Sequence, residues 1–160
     1  MRRTIGTTIK KIISGGQTGA DRAALDAAIS LGIPHGGWCP RGRLAEDGGI
    51  DERYQLTETP TDGSAQRTEW NVRDSDGTVI FSIADKLAKG SAKTEEFALK
   101  HRKPCLHLSR ARDGAQAPEK LREFVRVNQI LLLNVAGPRA SEEPKVAEFV
   151  RDTLLAYLSP

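Results

Sequence analysis

Long apolar runs, paired cysteines and internal repeats are all missing from this sequence, and each absence removes a class of protein. No stretch approaches the roughly 20 apolar residues of a membrane-spanning helix, and Arg2-Arg3 leads into Thr-Ile-Gly-Thr-Thr rather than a signal-peptide core. A soluble chain that is not exported is expected, with no membrane partner. Cys39 and Cys105 are the only cysteines, and two single thiols at wide spacing point to a reduced, cytoplasmic protein without a CxxC zinc site. No repeat or low-complexity tract divides the 160 residues, so one domain spanning residues 1–160 is expected, long enough to bury a sizeable core. Excess charge is scarce too: 24 basic against 21 acidic residues leave +3, which suits an anionic small molecule and is too slight to indicate nucleic acid. His35, His101 and His107 stand in no metal-ligand spacing, and no serine, histidine and aspartate share a triad-like context. Structural histidines and no metal site are expected.

What is present is organised around Ile9 to Leu31. Ile9-Lys10-Lys11-Ile12-Ile13 reads as a short buried strand, Leu25, Ala28, Ile29 and Leu31 recur at helical spacing, and Ser14-Gly15-Gly16-Gln17-Thr18-Gly19-Ala20-Asp21 joins the two. Gly15 and Gly16 can take the positive φ angles of a tight turn, Thr18 with Asp21 three residues later resembles a capping box, and Gly32 and Pro34 close the helix. Such a turn leaves backbone N–H groups at the positive end of a helix dipole, where a phosphate or another anion can sit. The same glycines would equally serve a sharp turn that binds nothing. The loop is not a P-loop, because Gly19 is followed by Ala20-Asp21 and the phosphate-reaching lysine is missing. As a dinucleotide fingerprint it is weak: Ser14 stands where a glycine is needed, and His35-Gly36-Gly37 where an acidic residue is.

Further along, His35 to Cys39 is a poor second strand, and Pro40 to Gly63 lacks periodicity, as a lid or binding loop does. Arg41 and Arg43 at its start are placed for bidentate phosphate contacts, or else pair with Glu46 and Asp47 in solvent. Gln66 to Arg73 reads as a helix with Trp70 as a buried anchor, and Asp74-Ser75-Asp76-Gly77 as a turn whose aspartates bond nearby amides. An EF-hand count from Asp74 puts Val79 where glycine is required, which excludes calcium. Thr78-Val79-Ile80-Phe81-Ser82-Ile83 is the clearest strand and should be central in a sheet covered on both faces. A loop then leads through Ser91, as cap, into a helix through Phe97, Ala98 and His101; Ser91, Lys93 and Thr94 could contact an anion, while Glu95 and Glu96 already suit the helix dipole. Pro104 to Leu108 is a strand, Pro118 to Val127 a helix, Ile130 to Val135 a strand, and Pro144 to Leu158 a helix with Val146, Phe149, Val150 and Leu154 on one side. Alternating strands and helices predict an α/β domain, a mostly parallel sheet with helices on both faces. The loops Ser14 to Asp21, Trp38 to Gly49 and Ala84 to Glu95 should converge at the carboxyl ends of its strands.

Several runs together resemble a known family: Ile13-Ser14-Gly15-Gly16-Gln17-Thr18-Gly19-Ala20-Asp21-Arg22-Ala23-Ala24-Leu25-Asp26, Gly36-Gly37-Trp38-Cys39-Pro40-Arg41-Gly42-Arg43 with Ala45-Glu46-Asp47-Gly48, Arg67-Thr68, and Asn71-Val72-Arg73-Asp74-Ser75-Asp76-Gly77-Thr78. From about Ile9 to Pro104 the chain is similar to the molybdenum cofactor carrier proteins, Rossmann-like relatives of the LOG or lysine-decarboxylase-like group. The resemblance implies a Rossmann-like three-layer sandwich and a homo-oligomeric carrier, dimer or tetramer. Its cargo would be a phosphorylated pterin such as the molybdenum cofactor, or a nucleotide-like ligand. It implies a ligand site drawn from Gly15, Gly16, Gln17, Thr18, Gly19, Asp21, Arg22, Arg41, Arg43, Asn71, Asp74, Asp76, Ser91 and Thr94. The alternative is a LOG-like nucleotide hydrolase (phosphoribohydrolase type) in which Asp21, Glu95 or Glu96 acts as a carboxylate acid or base. Of the LOG loop Pro-Gly-Gly-x-Gly-Thr-x-x-Glu, however, Lys89-Gly90-Ser91-Ala92-Lys93-Thr94-Glu95-Glu96 keeps only part. Nucleic-acid binding comes third, with mild basicity behind it.

Overall fold

The computed structural model describes residues 9–159; Arg2 and Arg3 lie outside them. In chain order the elements are β1 (Lys11–Ile13), α1 (Ala20–Leu31), β2 (His35–Gly36), β3 (Trp38–Cys39), β4 (Leu44–Ala45), β5 (Gly48–Gly49), β6 (Thr57–Glu58), α2 (Ser64–Asp74), β7 (Gly77–Ser82), α3 (Lys89–Lys100), β8 (Cys105–Ser109), α4 (Arg110–Asp113), α5 (Ala117–Asn128), β9 (Leu132–Ala136) and α6 (Val146–Leu158). Five strands form an all-parallel sheet in the order β2-β1-β9-β7-β8. Helices cover both faces, giving the Rossmann-like α/β fold that the alternation predicts. The apolar run at β7 is buried along its whole length, as a strand flanked on both sides must be. The middle place belongs to β9.

Side chains alternate across the sheet with period two, and the two faces differ in kind. On one face Ile12, Val79, Phe81, Leu108, Leu133 and Val135 pack against α1, α5 and α6 in the main core. On the other, the polar Thr78, Ser82, Asn134 and His107, with Ile80 among them, lie under α2 and α3, whose own apolar cluster is Val72, Phe97 and Ala98. The chain steps from β1 out to β2 on one side and from β7 out to β8 on the other, so the order reverses over β9. Ligands of open α/β sheets bind at the strand carboxyl ends beside such a reversal.

Local structure departs from the sequence reading in four places. The turn before α1 takes its positive φ at Gly16 (83°) and Gly19 (78°), not at Gly15, and the N-cap is Gly19 with no side-chain cap, in place of a Thr18–Asp21 capping box. Asp21 still reaches back, its Oδ2 accepting from Gln17 N–H at 3.3 Å. The segment read as one second strand divides: Gly36 ends β2, and β3 pairs with β6 in a separate two-stranded sheet. Pro40 to Gly63 is mostly loop but not loose, because β4 and β5 form a short hairpin and Ile50 and Tyr54 join Leu25 and Cys39 in a small core. Finally, α3 opens at Lys89 with Ala88 as N-cap, which draws Gly90 and Ser91 inside the helix instead of leaving Ser91 as its cap.

Candidate functional site

The strand reversal opens a cleft at the carboxyl ends of β1 and β9. Its cavity volume is about 120 Å³, continuous with an open mouth. Its walls come from five segments: Gly15, Gln17 and Asp21 after β1; Ser64, Arg67, Thr68 and Asn71 of α2; Ala88, Gly90, Ser91 and Thr94 at the head of α3; Asn134 to Ala136 of β9; and Gly137, Pro138, Arg139 and Glu142 beyond it.

Helix termini dominate this lining. Neither α2 nor α3 has a side-chain cap, and neither carries an acidic residue in its first turn. Their leading N–H groups therefore face the cleft with the positive ends of two dipoles uncompensated. The start of α1 is different. Gln17 N–H goes to Asp21, Thr18 N–H to Gln17 Oε1 (2.9 Å) and Ala20 N–H to Pro138 O (3.2 Å), so much of the glycine turn is satisfied internally.

Arg67 supplies a buried cation. Its Nη1 donates to Gly15 O at 2.9 Å and lies 3.7 Å from Asp21 Oδ2, and the residue is 8% exposed. Here Gly15 matters by closeness rather than by φ: a Cβ on it would lie 2.5 Å from Arg67 Cδ and Nη1. Burial pushes the Asp21 carboxyl above its ordinary value, against the pull of Arg67, the Gln17 N–H, Ser14 and Arg22. On the cleft floor Asn134, 2% exposed, donates from Nδ2 to Thr78 Oγ1 at 3.1 Å.

Of the residues expected at the site, the structure gathers Gly15, Gln17, Asp21, Asn71, Ser91 and Thr94. Asn71 is engaged twice with one neighbour, its Oδ1 accepting from Trp38 N–H (2.8 Å) and its Nδ2 donating to Trp38 O (3.0 Å). The other expected residues are not brought to the cleft. Gly16 faces Leu56 and Ile50, and Gly19 is pressed beneath Pro138 to Ala140. Thr18 donates to Glu46 and accepts from Ala140 N–H. Arg22 pairs with Asp47 at 2.5 Å and donates to Gly16 O. The Arg43 guanidinium donates to the carbonyls of Leu56, Ile50, Asp51 and Tyr54 and so holds its own loop together. Arg41 is exposed outside the lining. Asp74 accepts from Trp38 Nε1 and Arg73, and Asp76 from the N–H groups of Leu131 and Leu132; both precede β7, at the amino ends of the strands. Glu95 and Glu96 are exposed on α3, with Glu96 paired to Lys93.

Sequence reading did not single out Arg67 or Asn134 as ligand contacts, nor the backbone of Ser64 and Gly90. Arg67 looks like any arginine on a helix surface, whereas an asparagine inside the run Leu131-Leu132-Leu133-Asn134-Val135 is a legible signal, one polar group in a buried strand. The histidines are engaged within the fold. His35 Nε2 accepts from Gln55 N–H, His101 bonds Glu69, and His107 Nε2 meets Ser82 Oγ at 2.6 Å. Among the described residues, no three of His, Cys, Asp and Glu are grouped to hold a metal, and no helix is long and apolar enough to cross a membrane.

Comparison with known proteins agrees with this architecture. The model of the circularly permuted YpsA SLOG family matches residues 12–158. A crystal structure from Syntrophus aciditrophicus SB, described as a "Putative molybdenum carrier protein", superposes with a TM-score of 0.91 at 49% sequence identity, covering 96% of each chain. Among curated proteins none matches.

Proposed function

The chain belongs to the circularly permuted YpsA SLOG family, and on that premise we propose that it binds and carries a phosphorylated small molecule, with a molybdopterin-type pterin as cargo. The observation that carries this reading is the pair of uncapped helix N-termini, α2 and α3, opening with Arg67 into one cleft. Backbone N–H groups at the two helix ends would hold the phosphate, and the buried guanidinium would offset the remaining charge. The molybdenum carrier description of the Syntrophus protein favours a pterin over other phosphorylated ligands. Neither Cys39 nor Cys105 lines the cleft, so the chain's contribution is to phosphate and ring rather than thiolate ligation of a metal. The reading brings with it a cytoplasmic homo-oligomer, dimer or tetramer.

Mass spectrometry of protein purified gently from a host that makes molybdenum cofactor, under native and then denaturing conditions, tests this. A released pterin or its oxidation product is expected, absent from an Arg67→Gln variant, and the native mass gives the subunit number. A nucleotide in its place would end the pterin reading while keeping the phosphate site. The hydrolase alternative has only Asp21 of its three carboxylates in the cleft. It predicts free base released from nucleoside monophosphates, at a rate that Asp21→Asn abolishes.

A further inference from the structure

The cleft has a rim and a floor of different chemistry. Its rim, formed by Ser64, Ala88 and Gly90, is exposed and offers backbone donors. Its floor offers acceptors. Asn134 is almost wholly buried, its Nδ2 is held by Thr78 Oγ1, and no donor among the described residues reaches its Oδ1. Arg22 Nε is the one sealed side-chain polar atom without a partner among the described residues, so Asn134 Oδ1, which has no protein donor, keeps a small exposed surface where the residue lines the cleft. Asn134 sits in the middle strand, on the face under α2 and α3, at the point where the sheet meets the cleft. Asp21, across the floor, is a second acceptor. Asn71, whose amide would otherwise compete for the role, has both ends tied to Trp38.

Resting on the phosphate-carrier reading, we infer that Asn134 is the specificity residue of the cleft, its Oδ1 accepting a hydrogen bond from an N–H on the ring system of the ligand. The phosphate is held at the rim by groups indifferent to what it is attached to. Discrimination therefore falls to the floor. A ring with an amino or lactam N–H edge supplies Asn134 Oδ1 with a donor, and a ring of the same size without one displaces water from it and gives nothing back.

Calorimetric titration of the full chain with matched phosphates tests the inference. Guanosine 5′-monophosphate and neopterin monophosphate carry an amino-lactam edge; purine riboside 5′-monophosphate keeps a bicyclic ring, sugar and phosphate but has no ring N–H. The wild type should prefer the first two. In Asn134→Ala their affinity should fall roughly three- to tenfold, the value of one neutral hydrogen bond, with purine riboside 5′-monophosphate unchanged. Asn134→Asp retains an acceptor, so it should weaken all three anions by charge repulsion while keeping the preference; this variant preserves the side-chain shape and controls for misfolding of Asn134→Ala. Equal losses for all three ligands in Asn134→Ala, or an undiminished preference, would overturn the assignment. If none of the three binds to the wild type but inorganic pyrophosphate does, ring reading fails and the phosphate site stands; if no phosphate binds at all, the carrier reading falls first and this inference with it.

Discussion

The two faces of the central sheet are built from the same strands and do different work. On the face under α1, α5 and α6, every second residue of β7 and β9 is large and apolar and joins a cluster of 20 buried side chains. On the face under α2 and α3, the intervening residues of β7 are Thr78, Ile80 and Ser82 and those of β9 include Asn134; Ile80 is buried and apolar, but the buried apolar cluster of the helices above shrinks to three. The period of two lets one strand serve stability with odd positions and recognition with even ones. Apolar packing is concentrated on the face away from the cleft, and buried polar groups are concentrated on the face that meets it.

The sharpest way to break this comparison is truncation on each face. Phe81 is fully buried with its ring 5.5 Å from that of Phe149, so Phe81→Ala should cost about 3–5 kcal/mol in urea denaturation. Thr78→Val should cost about 1 kcal/mol, the value of the lost Asn134 partner. Comparable losses would mean that the division of labour is false.

Two buried aspartates extend the contrast, with opposite signs. Burial would raise the Asp113 carboxyl, but hydrogen bonds from Arg112, Lys120 (2.6 Å) and Ser109 N–H win and hold it well below the usual value of 3.8. Its stabilisation is present above the unfolded value and is lost as pH falls through 3.8 toward the folded one. Asp113→Asn should therefore cost about 2 kcal/mol at neutral pH and less at pH near 3. Asp21, raised by burial, runs the other way: the cost of its ionised form sets in as pH climbs through 3.8 and is complete above the folded value. Asp21→Asn should leave stability at neutral pH unchanged or higher, and should tighten pyrophosphate binding several-fold by removing a negative charge from the cleft; weaker binding would show that Asp21 orients Arg67 for the anion.

A further variant sets function directly against stability. Ala88 is the N-cap of α3 with φ −71° and ψ 167°, a conformation ready for a capping aspartate. Ala88→Asp should raise stability by about 1 kcal/mol and abolish pyrophosphate binding. A stabilised variant that still binds would remove α3 from the site. The smallest expected effect is chemical. Burial, with help from Glu95, pushes the Cys105 thiol up to about 12, so iodoacetamide at pH 8 should modify it far more slowly in the native protein than in urea.

Long, strongly patterned elements were legible in the sequence: β7, β9, α5 and α6 lie where their apolar spacing places them, within a few residues. The strand-to-helix turn was legible too, but as the anion-holding floor of a site it was misjudged: its N–H groups at Gln17, Thr18 and Ala20 bond within the protein, and only Gly15, Gln17 and Asp21 of the turn line the cleft. Individual ligand contacts were less so. Arg41 and Arg43 stand together in sequence as candidate phosphate ligands, yet Arg43 turns inward onto four carbonyls of its own loop, a use that no spacing announces. Asp74 ends and Asp76 follows the helix whose residues Ser64 to Asn71 line the cleft, and the length of α2 carries both to the amino ends of the strands.

By itself, the sequence determined the class of fold, because hydrophobic period and strand length are local properties that few packings can satisfy. It also determined that Asn134 would be a polar residue in a buried strand. Which face that residue points to, and that Arg67, Ser64, Gly90 and Asn134 meet across one cleft, only the tertiary structure decided. Those residues are separated by long stretches of chain, and the order β2-β1-β9-β7-β8 that unites them follows from how whole faces bury against each other, not from any segment's own preference.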